Sequence, residues 1–353
     1  MSSARSSQPA LRSGPPEFGS LRIVVPSARR RLCGVRRQVA SARLLFLLFL
    51  FTVILAGCTD VRPVTKIGLI APFEGLYRRS GYEALAAMRA AIDDAAQSGI
   101  VSVLPLALDD SGDPAQAQRA LAKLLVSSDV GAIVGPLSPA QAAAISNRQS
   151  LMKPPLLAPF ALPSLDNNGA PDATAWAPPL VQTVGALAAA QGAQGLVLAG
   201  WTPGWPDYTA VQWSEIAGLP VTLSDDPDAV ASNAAAMWLG APDRGAAYLA
   251  ALRERQPDVA FWLGPAGGDP VFADQAETRE RVYWVVWVDD GYNSWAAAHS
   301  PSTPSAYLVY RTTQEALRRI DGRDDAMLPP PTWRVQAYTL GPGGEPSPHA
   351  PAP

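Results

Sequence analysis

The sequence contains few of the side chains that most often carry catalysis and metal binding. Histidine occurs only as His299 and His349, and cysteine only as Cys33 and Cys58, among 353 residues. A Ser-His-Asp arrangement therefore has few imidazoles available, and no closely spaced cysteine pair exists for zinc. No G-x-x-x-x-G-K-[ST] loop, G-x-G-x-x-G turn or H-E-x-x-H motif occurs either. We therefore expect that the protein is not an enzyme and that it has neither a cofactor nor a metal site.

Positive charge is concentrated at the start of the chain. Residues 1–57 hold nine arginines and one acid, a formal charge of +8. Subtracting this +8 from the overall −3 leaves −11 for residues 58–353. An acidic body lacks the basic face that nucleic acid requires, so we expect no nucleic-acid partner. A basic leader before an acidic body is typical of a targeting segment.

The longest apolar run is LLFLLFLFTVIL, from Leu44 to Leu55. Its length of about a dozen residues is short of the roughly 20 that a membrane-spanning helix needs, and it fits a signal peptide instead. The next residues complete the tetrapeptide Leu-Ala-Gly-Cys ending at Cys58, which resembles the lipobox of bacterial lipoproteins. That resemblance implies lipidation of Cys58 and anchoring to the outer side of a bacterial membrane, in the cell envelope. An ordinary signal peptide or a short membrane anchor, with Cys58 incidental, is the alternative.

These features divide the chain into segments. Residues 1–57 are predicted to be a signal peptide with a basic N-terminal extension, and residues 58–64 a lipid-anchored linker. Removal of Cys33 and lipidation of Cys58 would leave no cysteine for a disulfide. The Gly/Pro-rich residues 341–353 are predicted to be a disordered tail. The residues between the leader and the tail are enough for one large domain or two medium domains with a substantial buried core.

Between the leader and the tail, β-rich runs alternate with segments of helical periodicity. The predicted strands are Thr65–Ala71, Val101–Leu108, Gly131–Gly135, Pro155–Ala158, Gly195–Ala199, Pro220–Leu223, Val259–Leu263, Val282–Val288 and Trp333–Leu340. The predicted helices are Ser80–Gln97, Pro114–Ser127, Pro139–Ser150, Pro179–Gln191, Asp207–Ala217, Asp243–Arg255 and Ser305–Ile320. Asp113 can cap the second helix. Such alternation predicts an α/β protein with right-handed crossovers and parallel sheets.

Three segments of the first half resemble type 1 periplasmic binding proteins, in particular the branched-chain amino-acid binding components of ABC transporters. They are Lys66 to Ala95, with a Gly-containing loop after the strand, Leu106 to Leu125, with an Asp-Asp turn, and Val130 to Asn147, with the turn Gly-Pro-Leu-Ser. The resemblance implies two Rossmann-like lobes with parallel sheets, joined by a hinge, and a ligand between them. We predict the first lobe at residues 65–165. The second, at residues 166–340 with the hinge crossovers, looks shortened.

The resemblance also implies partners. A small molecule, an amino acid or a related compound, would be captured and delivered to an ABC permease. Two other functions remain open on the sequence. One is an envelope sensor or structural lipoprotein that uses the same fold to bind a protein, and the other is a carboxylate-dependent hydrolase.

Ligands of open parallel sheets bind beyond the carboxyl ends of the strands. The expected loops are therefore 72–80, 136–140, 159–163, 200–208, 264–269 and 289–293. From the first we select Tyr77, which could cover a ligand, and Arg78, which could pair with an anion. From the fourth we select Trp201, for which core packing is the alternative, and Tyr208.

The resemblance assigns the other candidate residues. Ser138 stands where relatives place a hydroxyl for a ligand carboxylate, although it could equally cap a helix. Phe160 and Ala161 lie in the loop that in relatives binds an ammonium. Asp289 and Asp290 follow a strand near the place where relatives supply an acid to that ammonium, and a solvated turn is the alternative.

Overall fold

A computed structural model describes residues 64–99, 103–146, 153–165, 169, 171–300, 302–322, 332–340 and 346–349. Cys58 and the apolar run from Leu44 to Leu55 lie outside these residues, so the lipid anchor stays a prediction. Within the described ranges, no helix combines the length and the apolar character needed to cross a bilayer.

The first sheet has four parallel strands in the order β2-β1-β3-β4. The strands are β1 (Thr65–Ala71), β2 (Val103–Asp109), β3 (Val130–Val134) and β4 (Leu156–Leu157), and the helices between them are α1 (Arg78–Gln97), α2 (Pro114–Val126) and α3 (Pro139–Ile145). β1 lies between β2 and β3 and is buried from Ile67 to Ala71, as expected of a strand covered on both faces. The predicted cap of α2 is confirmed, because Asp113 Oδ1 accepts from the Gln116 amide at 2.8 Å.

The second sheet has seven strands in the order β11-β10-β9-β8-β7-β5-β6. Its strands are β5 (Gly195–Ala199), β6 (Val221–Leu223), β7 (Ala234–Trp238), β8 (Phe261–Leu263), β9 (Val282–Val288), β10 (Arg334–Leu340) and β11 (Pro346–Pro348). The helices of this half are α4 (Ala173–Ala190), α5 (Ala210–Ala217), α6 (Pro242–Arg255), α7 (Pro270–Gln275), α8 (Tyr292–Ala298) and α9 (Pro304–Asp321). Neighbouring strands are parallel from β6 to β9, whereas β10 and β11 add to the edge in antiparallel direction.

Helix α9 lies between β9 and β10 of the second sheet in sequence but packs against α1 and β3 of the first sheet. Asp289, at the end of β9, accepts a hydrogen bond from the Tyr307 hydroxyl and pairs with Arg311 Nε at 2.9 Å. Both partners lie on α9. Asp289 is only 3% exposed, so Arg311 compensates a charge that would be costly to bury alone. This network joins the second sheet to α9, the helix that packs against the first sheet.

Three local predictions need correction. α4 begins at Ala173, ahead of Pro178 and Pro179, because Asp172 caps its first turn and Trp176 is buried there. Strand β7 is absent from the predicted strands because its Ala-rich sequence AAAMW has little intrinsic strand preference; burial between β5 and β8 imposes the strand. The expectation of a disordered tail fails for Pro346–Pro348, which pairs with β10.

Tryptophan fills much of the interior of the second half. Trp176, Trp213, Trp262 and Trp284 are among the largest fully buried side chains. Four indoles of this size contribute strongly to the hydrophobic stabilisation, since each aromatic ring removes a large apolar area from water.

Gly135, the first residue after β3, has no room for a side chain. Its φ is +103°, and an added Cβ would lie 2.2 Å from the Ile70 carbonyl oxygen. We predict that Gly135→Ala lowers the free energy of unfolding by about 2–4 kcal/mol, since backbone strain and a steric overlap add. The matched control is Gly99→Ala: Gly99 also has positive φ, at +73°, but open space around it. Thermal melts followed by far-UV circular dichroism should show the larger loss for Gly135→Ala; equal losses would contradict the steric argument.

Candidate functional site

A cavity of about 210 Å³ lies among the loops of the two sheets. On the first sheet, the loops that follow β1, β2, β3 and β4 all contribute to its wall, and on the second sheet the loops that follow β5, β7 and β8 do so. The first turns of α9 complete the lining with Ser305, Ala306, Leu308 and Val309. Parallel strands bring these loops together, because all their carboxyl ends lie at one edge of each sheet.

The wall on the side of the first sheet contains two buried polar side chains. Asp110 is 1% exposed, and its Oδ1 accepts from the Gly112 amide at 2.9 Å. Burial, reinforced by the neighbouring acids Asp109 and Asp113, raises the pKa of Asp110 to about 6. Gln141 on α3 donates from Nε2 to the Gly112 carbonyl at 2.5 Å, while its Oε1 is buried without a hydrogen-bond partner.

Two hydrogen bonds join the loops of the two sheets at the cavity. The Tyr77 hydroxyl, at the start of α1, donates to Asp243 Oδ1 on α6 at 2.5 Å. The Ser80 hydroxyl on α1 donates to Oδ2 of Asp269, the N-cap of α7, at 2.6 Å. Burial raises the pKa of Asp269 to about 6 even though Ser80 stabilises its charged form. These contacts hold the two sides of the cavity together.

A close backbone approach reinforces the contact between the two sides. Gly204, in the loop after β5, has a φ of +100°, and a Cβ there would lie 2.4 Å from the carbonyl oxygen of Pro139, the first residue of α3. Only glycine allows this loop to lie so near α3.

An aromatic cluster lies directly behind the cavity wall. Phe160 lines the cavity, and its ring meets Trp176 edge-on with ring centroids 5.2 Å apart. Trp176 in turn packs against Trp205 at 4.7 Å. Direct ring contacts therefore connect the cavity wall to two indoles.

The structure brings three of the predicted site residues together at the cavity, namely Tyr77, Ser138 and Phe160. The other six do not line it. Arg78 is exposed, Ala161 is fully buried, Trp201 is 37% exposed, and Tyr208 packs on Trp213 at 5.1 Å. Asp289 is engaged by Tyr307 and Arg311, and Asp290 forms an exposed ion pair with Arg334.

Several polar groups of the wall are absent from the predicted site residues. Asp110 belongs to the Asp-Asp turn before α2, where Asp113 caps the helix, and nothing in the local sequence sets it apart from its neighbours. Asp269 lay in an expected loop, but its N-cap position gave no sign that it would meet Ser80. Gln141 carried no signal, since an amide on an Ala-rich helix is ordinary. The loop at 239–242 was missed because the strand before it, β7, was missed.

The described residues contain no group of three or more His, Cys, Asp or Glu side chains placed to hold a metal ion. What the cavity offers instead is a set of hydrogen-bonding groups on an apolar background. Such a mixture can hold a small organic molecule in one orientation.

Comparisons with known proteins give a clear result for the fold. The sequence matches no family model, and no curated protein matches it. Solved structures match well. A leucine-binding protein from Thermotoga maritima has a TM-score of 0.61 at 14% sequence identity, covering 81% of this chain and 98% of that chain. A solute-binding protein from R. palustris in complex with 4-hydroxybenzoate has a TM-score of 0.59 at 14% identity, covering 80% and 95%.

A type 1 periplasmic binding protein from Bordetella pertussis gives the same picture, with a TM-score of 0.57 at 14% identity, covering 81% of this chain and 99% of that chain. At such low identity the likeness concerns the fold and leaves the ligand open. The strand order, the loops around a common cavity and these matches lead to one conclusion: this chain has the α/β fold of type 1 periplasmic binding proteins.

Proposed function

We propose that this protein is a lipid-anchored, extracytoplasmic solute-binding protein that captures a small molecule between two lobes for an ABC transporter. The observation that carries the proposal is the cavity, whose walls come from the loops at the carboxyl ends of the strands of both sheets. The similar solved structures, which include a leucine-binding protein and a 4-hydroxybenzoate complex, support it.

The state of the cavity separates this function from that of a sensor that binds a protein. In a sensor that binds a protein, we expect side chains of the two lobes to fill the cleft between them. Here about 210 Å³ remains between the loops, and the Gln141 Oε1 acceptor at the wall has no partner. Buried polar atoms are rarely left unpaired, so an acceptor of this kind favours a ligand that completes its hydrogen bond.

Capture would involve closure of one lobe onto the other. The Tyr77–Asp243 and Ser80–Asp269 hydrogen bonds connect groups from the two sides. Contacts that exist only in the closed state stabilise that state and slow the escape of ligand. We therefore assign Tyr77 and Ser80 a role in holding the lobes closed.

A panel of amino acids, amides, sugars, amines and aromatic acids should reveal binding. We expect at least one class to change the tryptophan fluorescence, because Phe160 at the wall contacts Trp176, and to raise the melting temperature through mass action. Ala140→Phe should weaken that binding at least tenfold, about 1.4 kcal/mol, by filling the cavity that Ala140 lines. Ala96→Phe, at an exposed position of α1, is the control. No response to any class would leave the protein-binding sensor as the better function.

Removal of one closing contact should weaken binding in a specific way. We expect Tyr77→Phe, which lacks the hydroxyl that donates to Asp243, to increase the ligand dissociation rate about three- to tenfold, in line with the net contribution of about 1 kcal/mol of a typical hydrogen bond. Tyr82→Phe serves as the control, since Tyr82 is 59% exposed and contacts Phe73 through its ring. Stopped-flow fluorescence measures both rates. An unchanged rate for Tyr77→Phe would remove this contact from the closing mechanism.

The anchor has its own test. Cys58→Ala should move the protein from the membrane fraction to the soluble fraction, because acyl chains supply the membrane affinity. Cys33→Ala, which alters only the predicted leader, should leave the partitioning as it is. Equal membrane partitioning of Cys58→Ala and the unmodified sequence would contradict lipidation at Cys58.

A further inference from the structure

The cavity wall carries charge of one sign. Glu83, Asp110 and Asp269 line it, and among the described residues of the lining there is no arginine, lysine or histidine. Glu83 has a cation nearby, since Arg79 Nε lies 3.1 Å from its Oε1 on the exposed side of α1. Asp110 and Asp269 form no ion pair with a basic side chain in the described part of the chain. Asp110 and Asp269 are therefore the two lining carboxylates without a basic partner among the described residues.

The surroundings of these two carboxylates make their charge costly. The nearest charged groups around Asp110 are other acids, and Asp269 has Glu83 and Asp274 near it. Burial raises the pKa of both carboxyls to about 6, which shows that their charged forms are less favourable here than in water. Negative charge without a counterion in such surroundings is unfavourable, and a cation beside either group would relieve it.

A second, independent observation concerns hydrogen bonding. Gln141 is 8% exposed, lines the cavity, and has a buried Oε1 without a partner. Its Nε2 donor is already committed to the Gly112 carbonyl. The lining therefore contains an amide oxygen without a hydrogen-bond partner in addition to the carboxylates of Asp110 and Asp269. An ammonium group, with three donors and no acceptor, matches these three groups, whereas a carboxylate beside them would place acceptor against acceptor. The hydroxyls of Ser138, Thr202 and Ser305, which also line the cavity, can donate or accept.

The rest of the lining is apolar. Leu137, Phe160, Leu239, Leu308 and Val309 contribute to it, together with several prolines. A ligand made only of polar groups would leave these surfaces without matching contacts, while an alkyl or aryl body would bury apolar area against them.

We infer that the cavity selects a small organic amine, a cation with an apolar body and without a carboxylate, held by Asp110, Asp269 and Gln141. This inference rests on the proposed solute-binding function and specifies its substrate class. Leucine and 4-hydroxybenzoate, which occur in the names of two similar structures, both carry a carboxylate.

Isosteric ligand triplets test the inference. The first set is 3-methylbutylamine, leucine and 4-methylpentanoate; the second is tyramine, tyrosine and 3-(4-hydroxyphenyl)propanoate. Within each set the apolar body is constant and the charge changes from cation to zwitterion to anion. Isothermal titration calorimetry on the mature protein at pH 7.5 should give at least one amine that binds tenfold or more tightly than its zwitterion and its acid.

Two substitutions test whether Asp110 and Asp269 bind the amine. Asp110→Asn and Asp269→Asn keep the side-chain shape and should each weaken amine binding at least fivefold, whereas Asp228→Asn, at an exposed ion pair with Arg255, should leave it unchanged. Melting temperatures check that the variants fold.

A preference for the acids or zwitterions would overturn the inference and leave solute binding in place, as would amine binding that neither cavity variant affects. Absence of binding by all six compounds, with the broader panel also negative, would overturn both proposals.

Discussion

Parallel strand direction is the constraint on which the architecture depends. When neighbouring strands run the same way, every loop that follows a strand lies at the same edge of the sheet, and a helix must return the chain to the other edge. In this protein the constraint holds for all strands of the first sheet and for β5 to β9 of the second. Seven loops of distant sequence thereby meet around one cavity, and no single segment of the chain contains the site.

The second requirement is a connection that fixes the positions of the two sides of the cavity relative to each other. Asp289 illustrates it, because its carboxylate receives Tyr307 and Arg311 from α9 while the residue itself ends a strand of the second sheet. A buried ion pair adds little to net stability compared with apolar packing, but loss of one partner is costly, so the network specifies where α9 lies. Since α9 also lines the cavity, the same helix couples the packing of the first sheet to the wall of the site.

Charge distribution then decides what the site can accept. Asp110 and Asp269 come from different halves of the chain, and each is ordinary in its local sequence: one follows a strand, the other caps a short helix. Their common property, burial without a basic partner, arises only when the loops meet. The apolar wall lowers the effective dielectric around them, which strengthens both the cost of an unpaired charge and the attraction of a cation.

The sequence by itself determined the alternation of strands and helices, because hydrophobic periodicity and caps such as Asp113 act within a few residues; β1, β5 and β9 have the predicted bounds. It also placed most loops of the cavity, since chain order and strand direction imply them. Only the tertiary structure decided that AAAMW forms a strand, that α4 starts before its prolines, and that Asp289 joins α9 while Asp110 and Gln141 line the cavity. The reason is physical: burial, pairing and desolvation of a side chain depend on neighbours far away in sequence, which local patterns do not encode.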